Sequence, residues 1–288
     1  MVRQSSRALL VALLAPALLG LLIFRLYPIA IAVISSFYTT VHGNLAFIGL
    51  GNYESLIDDH VFWRSLGVTL WFNLLVNPIQ IAISLALALL YVRKFPGASM
   101  YRVFFLIPIG VSVPVAVIVW RVMLTQGGLA NGLLNLIGVA PQPWLTSSRL
   151  ALYSIIAITT WKGASYWMIF IVGGLQNISP ELYDAARVDG VAPWRRFVFI
   201  TLPLLRPALL FVLAADVSIN FLLFAPIYML TQGGPAGSTD VLMYEAYKQG
   251  FIFGDMGRAM AMVVVIVAIL LVVVGLQFRL LSAREQGA

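Results

Sequence analysis

The chain has 288 residues, 61% of them hydrophobic and only 10% charged, with a mean hydropathy of +0.96. A soluble domain carries roughly 25% charged residues, and a globule of this size cannot hide so much apolar surface. The composition therefore excludes a typical cytosolic enzyme, a disordered chain and a fibrous repeat. Cysteine is absent, which removes disulfides, thiolate metal sites and thiol catalysis. The net charge of +7 comes from basic residues that recur between apolar runs instead of forming one patch, so nucleic acid is not an expected partner. His42 and His60 lie in a polar stretch between apolar runs and read as surface residues.

A bilayer core takes roughly 20 helical residues to cross. Six apolar segments qualify, at about 8–37, 66–92, 103–124, 150–175, 204–230 and 259–278. The first is interrupted by Arg25 and Pro28, and Arg3 and Arg7 precede it. Its apolar run is longer than a signal-peptide core of roughly 7–15 residues, so it reads as an uncleaved helix. With the N-terminus inside, the inner segments hold Arg3, Arg7, Arg93, Lys94, Arg102, Arg187, Arg195, Arg196, Arg206, Arg279 and Arg284. The outer segments then hold only Arg64, Arg149, Lys248 and Arg258. That bias predicts an all-α membrane protein of six transmembrane helices with both termini cytoplasmic. The whole chain, 1–288, reads as one transmembrane domain. The outer segments carry Gly, Pro, Asn and aromatics and read as short connections with some helix of their own.

The inner segment 176–203 is too structured to be a mere connector. Ser179 is a good N-cap and Pro180 suits the first helical position. Glu181 and Asp184 sit near the positive end of the helix dipole. Ala185 and Ala186 form helix with almost no bulk, Gly190 can take the left-handed conformation that stops it, and Pro193 starts a second short helix. The residues by themselves allow a docking element or an amphipathic segment resting on the membrane.

The spacing Asp184-Ala185-Ala186, three residues, Gly190, nine residues, Ile200-Thr201-Leu202-Pro203 resembles the EAA loop of the membrane subunits of bacterial ATP-binding-cassette importers. Asp184 stands where that family usually has Glu. Gly174-Leu175-Gln176, Gly51-Asn52-Tyr53 and Leu230-Thr231-Gln232-Gly233-Gly234-Pro235 are similar to segments of its carbohydrate branch. The resemblance implies a type I importer permease fold in the bacterial cell membrane. It implies a sugar as cargo, with glycerol phosphate or a polyol as the alternative. It implies as partners a second permease subunit in a heterodimer, two ATP-binding subunits, an extracytoplasmic substrate-binding protein and membrane lipid. Glu181, Asp184, Ala185, Ala186 and Gly190 would couple to the ATPase. ATP and Mg would bind on the partner subunits, leaving no cofactor and no metal in this chain. Consistently, none of the three lysines follows a glycine, as a phosphate-binding P-loop requires, and the chain is not expected to be an enzyme.

Polar groups at membrane depth are costly and mark a path or a packing contact. Asn73, Asn77 and Gln80 share one helical face and suit either role. Asp216, one turn before Asn220, is the one carboxylate clearly inside a span; it pairs with Lys162 or Arg121, or contacts substrate. Trp161, Tyr166 and Asn220 supply the aromatic faces and amides that grip sugars. Matching the resemblance residue by residue implies a substrate path at Gly163, Tyr166, Asp216 and Asn220, with Ser112 a weaker match. A proton-coupled carrier using Asp216 is the competing class; it predicts inverted repeats and more membrane carboxylates.

Overall fold

The structure is a computed structural model and describes residues 2–41, 44–93 and 96–282. His42, Lys94 and Arg284 fall outside the described residues, and the side chains of Arg3 and Arg7 are likewise not described.

In chain order the elements are α1 (Val2–Leu21), α2 (Tyr27–Ser35), strands β1 (Tyr38–Val41) and β2 (Asn44–Phe47), α3 (Gly51–Ile57), α4 (His60–Tyr91), α5 (Ala98–Gly110), α6 (Val113–Met123), α7 (Leu129–Leu136), α8 (Ala151–Gln176), α9 (Pro180–Val188), α10 (Pro193–Arg196), α11 (Leu202–Leu204), α12 (Arg206–Phe221), α13 (Ala225–Leu230), α14 (Leu242–Tyr247) and α15 (Met256–Ser282). Among the described residues, four helices are long and apolar enough to cross a membrane alone, at Ala12–Ser35, His60–Tyr91, Ala151–Gln176 and Met256–Arg279. Two bent pairs reach that length only jointly: Ala98–Gly110 with Val113–Met123, and Pro193–Leu204 with Arg206–Phe221.

These pairs correct two of the expected spans. The third is broken by a bend of 105°. Val111 is extended and Pro114 sits at the second position of α6. Proline has no N–H to return to the previous turn, so the helix stops and restarts. The fifth begins in the inner segment, bends by 64° and ends at Phe221, with α13 separate. Between α1 and α2, the five residues Leu22–Leu26 form a wider π-turn ahead of Pro28. A proline leaves the carbonyl one turn back unpaired, and a π-bulge is one way to absorb this.

The backbone forms two compact units, residues 1–62 with 245–268, and 63–244 with 269–288. In the first, an antiparallel hairpin pairs Tyr38 with Phe47 and Val41 with Asn44. The chain departs from the all-α expectation here: β1 is Tyr-Thr-Thr-Val, aromatic and β-branched residues that suit a pleated surface. The Gly51-Asn52-Tyr53 motif anchors it. Buried Asn52 donates to the carbonyls of Ser36 (2.8 Å) and Tyr38 (2.9 Å), and Tyr53 shares a 2.6 Å hydrogen bond with Ser36. Asp255 caps α15 by accepting from the Arg258 N–H at 3.0 Å, while the Arg258 guanidinium pairs with Asp59.

In the second unit the core gathers Ala88 of α4, Trp167, Met168 and Ile171 of α8, and Leu205 and Val212 at and in α12. Gly174 permits this. A methyl at residue 174 would lie 2.8 Å from Ala208 Cβ, so the glycine of the Gly174-Leu175-Gln176 motif lets α8 and α12 pack backbone to side chain.

Candidate solute cavity and coupling segment

A cavity of about 390 Å³ lies within the second unit, walled by α4, α5, α6, α8, α12 and α13. Its size falls in the roughly 300–1,000 Å³ range of small-molecule sites. Most of the wall is aliphatic, including Ile109, Val113, Val117, Ile158, Ile219 and Leu223. The polar groups are Gln80, Thr159, Lys162, Tyr166, Trp167, Asp216 and Asn220.

Those groups are organised by helical spacing. Along α4, Thr69, Asn73, Asn77 and Gln80 recur every three or four residues and are buried. Asn73 donates to the Thr69 carbonyl at 2.9 Å and Asn77 to Asn73 Oδ1 at 3.2 Å. From α12, Asn220 Nδ2 donates to Asn77 Oδ1 at 2.7 Å and reaches Asp216 Oδ1 at 3.1 Å. Asp216 Oδ1 also accepts from Trp167 Nε1 at 2.6 Å and from the Gln80 amide. One carboxylate oxygen thus ties α4, α8 and α12 together through three N–H donors, the charge-assisted kind of bond that is roughly twice as strong as a neutral one.

Asp216 makes no ion pair among the described residues, which corrects the expected pairing with Lys162 or Arg121. Arg121 is exposed. The Lys162 ammonium instead donates to the carbonyls of Pro108, at 3.0 Å, and Val111. These carbonyls end α5 at the break and have no helical partner of their own. A cation there satisfies both and suits the negative end of the helix dipole.

Gly163 lines the cavity, and its missing side chain leaves the space occupied by the Gln80 amide. Tyr166 lines it too, its ring 4.8 Å from that of Trp167 and T-shaped to it. Ser112 is exposed at the helix break and is not in the cavity wall. Trp161 packs edge-on against Trp120 at 5.6 Å and lines a separate groove with Pro108, Thr160 and Ala164. Trp167 and Gln80 are the contributors that the residues had not singled out for Asp216. An indole N–H 49 positions and an amide 136 positions from their common acceptor leave no local signal.

The inner segment is built as its caps foretell. Ser179 Oγ accepts from the Glu181 N–H at 3.3 Å, and Gly190 takes φ 72° just beyond α9. Glu181, Asp184, Ala185 and Gly190 are exposed, whereas Ala186 is buried. Asp184 forms a 3.0 Å pair with Arg187 that is itself open to solvent. Tyr183 shares a 3.0 Å hydrogen bond with Thr201, which fastens α9 to the segment leading into α12. Leu182, Val188 and Trp194 stay exposed, an apolar surface facing away from the chain.

Residues 79–286 match the sequence profile of the family described as binding-protein-dependent transport system inner membrane component. The chain is 36% identical over 278 residues to the lactose transport system permease protein LacF of Rhizobium radiobacter, covering 94% of this chain and 93% of that one. It is 32% identical over 276 residues to the sn-glycerol-3-phosphate transport system permease protein UgpA of Agrobacterium fabrum, covering 94% of each. The fold is similar to a chain in the crystal structure of a bacterial alginate ABC transporter in complex with alginate pentasaccharide-bound periplasmic protein. The TM-score is 0.83 at 22% identity, over 96% of this chain and 94% of that one.

Proposed function

The chain belongs to the inner membrane components of binding-protein-dependent transport systems, and from that premise we propose that it is the permease subunit carrying a di- or oligosaccharide through the bacterial inner membrane. It acts as a multi-pass transporter subunit, not a catalyst. In this reading the whole chain works as one transmembrane domain of six helices with both termini in the cytoplasm, each bent pair counting as one span. A second permease chain completes the pathway as a heterodimer. Two ATPase subunits bind ATP and Mg, and this chain holds no cofactor or metal.

The observation that carries the reading is the cavity at Asp216 and Asn220. It combines aliphatic walls with amide, carboxylate, ammonium and phenol groups, which is what a hydroxyl-rich solute of moderate polarity requires. The LacF likeness supports a disaccharide. The UgpA likeness keeps glycerol phosphate as the second reading.

The mechanism follows from the connections. A loaded binding protein docks outside. ATP-driven closure of the ATPases moves α9 through Glu181, Asp184, Ala185 and Gly190, with buried Ala186 setting how closely α9 sits on its own chain. The Tyr183–Thr201 bond and the continuous run from Pro193 to Phe221 carry that motion into α12. Asp216 and Asn220 ride on α12, so the cavity wall changes when the inner segment moves. Gly163 and Tyr166 on α8 supply the facing wall, while Ser112 marks the hinge between α5 and α6.

Energised uptake of labelled lactose, maltose and arabinooligosaccharide by cells expressing the chain with its partner subunits tests the reading. ATP-dependent accumulation of a sugar is expected. Uptake that survives loss of the ATPase and collapses with a protonophore alone would overturn it.

A further inference from the structure

The cavity wall has a charge chemistry that sugar import alone does not specify. Asp216 Oδ1 holds three N–H donors. Its other oxygen, Oδ2, is buried and accepts from no described residue, and the same holds for Gln80 Oε1. Asp216 is 1% exposed and Gln80 2%. The Gln80 amide is fixed in its orientation, since turning it over would set its carbonyl against the carboxylate, acceptor on acceptor. Two bonded neighbours in the wall therefore each keep an acceptor unfilled. A buried polar group without a partner is costly and calls for an explanation, such as a ligand that completes it.

Lys162 is the one cation among the described residues lining the cavity, and it is already bonded to the carbonyls of Pro108 and Val111. It cannot turn wholly to an incoming anion without leaving both carbonyls unpaired. The wall thus offers one carboxyl group held by three N–H donors and one amine already committed to two carbonyls.

We propose that Asp216 and Gln80 form a charge filter that admits electroneutral polyhydroxylated solutes and turns back phosphorylated or carboxylated ones. The proposal rests on the sugar-import reading and narrows it to uncharged sugars. A hydroxyl donates to Asp216 Oδ2 or Gln80 Oε1 and accepts the remaining Lys162 N–H. A phosphate dianion has no proton for either acceptor and brings like charge beside a carboxylate. Against a largely aliphatic wall that repulsion is screened less than in bulk water.

The test is saturation-transfer difference NMR on the purified importer complex in nanodiscs, without binding protein, using matched pairs: maltose against maltose 1-phosphate, and glycerol against sn-glycerol 3-phosphate. The anionic member of each pair is expected to bind at least about tenfold more weakly. Asp216→Asn, which keeps the shape and removes the charge, is expected to shrink that ratio to within about threefold. Equal binding of the anionic members by the wild type, or an unchanged ratio in D216N, would overturn the filter and leave sugar import standing. If D216N fails to assemble, Gln80→Leu tests the same wall, and the wild-type ratio decides by itself. Failure of every sugar to bind, together with absent uptake, would instead sink the import reading and the filter with it.

Discussion

Gly163 on α8 leaves the space that the Gln80 amide of α4 fills. A methyl group at residue 163 would overlap that amide, whose N–H is one of the three donors on Asp216. A glycine with no positive φ to explain it is thus required by a side chain far back along the sequence. Gly163→Ala is expected to displace Gln80 and destabilise the chain by about 1–3 kcal/mol, the usual cost of overpacking. A thermal unfolding midpoint in detergent checks this. Adding Gln80→Ala to the variant should restore most of the loss, because the obstructing amide is then gone.

Lys162→Met keeps the length of the side chain and removes the ammonium. The carbonyls of Pro108 and Val111 then lose their donor, at about 1–3 kcal/mol for a buried unsatisfied group. The expected outcome is a lowered midpoint and reduced uptake at normal membrane insertion. Lys162→Arg, which retains donors, should keep most of the stability.

At the inner segment, Gly190 has φ 72°, where an L side chain is strained by roughly 1–2 kcal/mol. A β-branched residue suffers most. Gly190→Val is expected to abolish uptake while the chain still inserts. Asp184→Lys should act differently, since Asp184 is exposed and its loss leaves the fold intact. Co-purification with tagged variant should then retain the second permease and lose the ATPase. Retention of the ATPase by D184K would remove the docking role from this position.

Asn52 holds the hairpin to the end of α2 by two hydrogen bonds, the one to Ser36 buried and the one to Tyr38 partly so. Asn52→Ala frees two carbonyls and should cost about 1–3 kcal/mol. The local effect is measurable as faster amide hydrogen exchange across Tyr38–Val41 and Asn44–Phe47, with α8 unchanged.

The residues differed in how far each could be read without the fold. Ser179, Pro180 and Gly190 act on neighbours within a few positions, so the cap, start and stop of α9 were legible. Asn73, Asn77 and Gln80 were legible as one face, because a helix has one period. Their partners were not. Trp161 and Trp167 carry the same ring, yet Trp161 packs on Trp120 and Trp167 donates to Asp216. Their separation along α8 is not a whole number of turns, so the helix carries them to different sides. Ser112 matched the substrate path by position, but the break beside it leaves it exposed and outside the cavity wall. The hairpin at Tyr38–Phe47 falls in a segment that reads as a short connection with some helix of its own, because four-residue strands leave too short a pattern to compete with the apolar runs around them.

By itself the sequence determined that the chain belongs in a membrane, where its apolar segments fall and how α9 starts and stops. Transfer of a side chain into lipid and capping of a helix end depend on the residue and its near neighbours, and both are additive along the chain. Only the tertiary structure decided that Asp216 is held by Gln80, Trp167 and Asn220 and not by a cation, and that Lys162 caps a broken helix. Hydrogen bonds act over about 3 Å, and donors 136 and 49 positions from their acceptor come that close only after α4, α8 and α12 have packed.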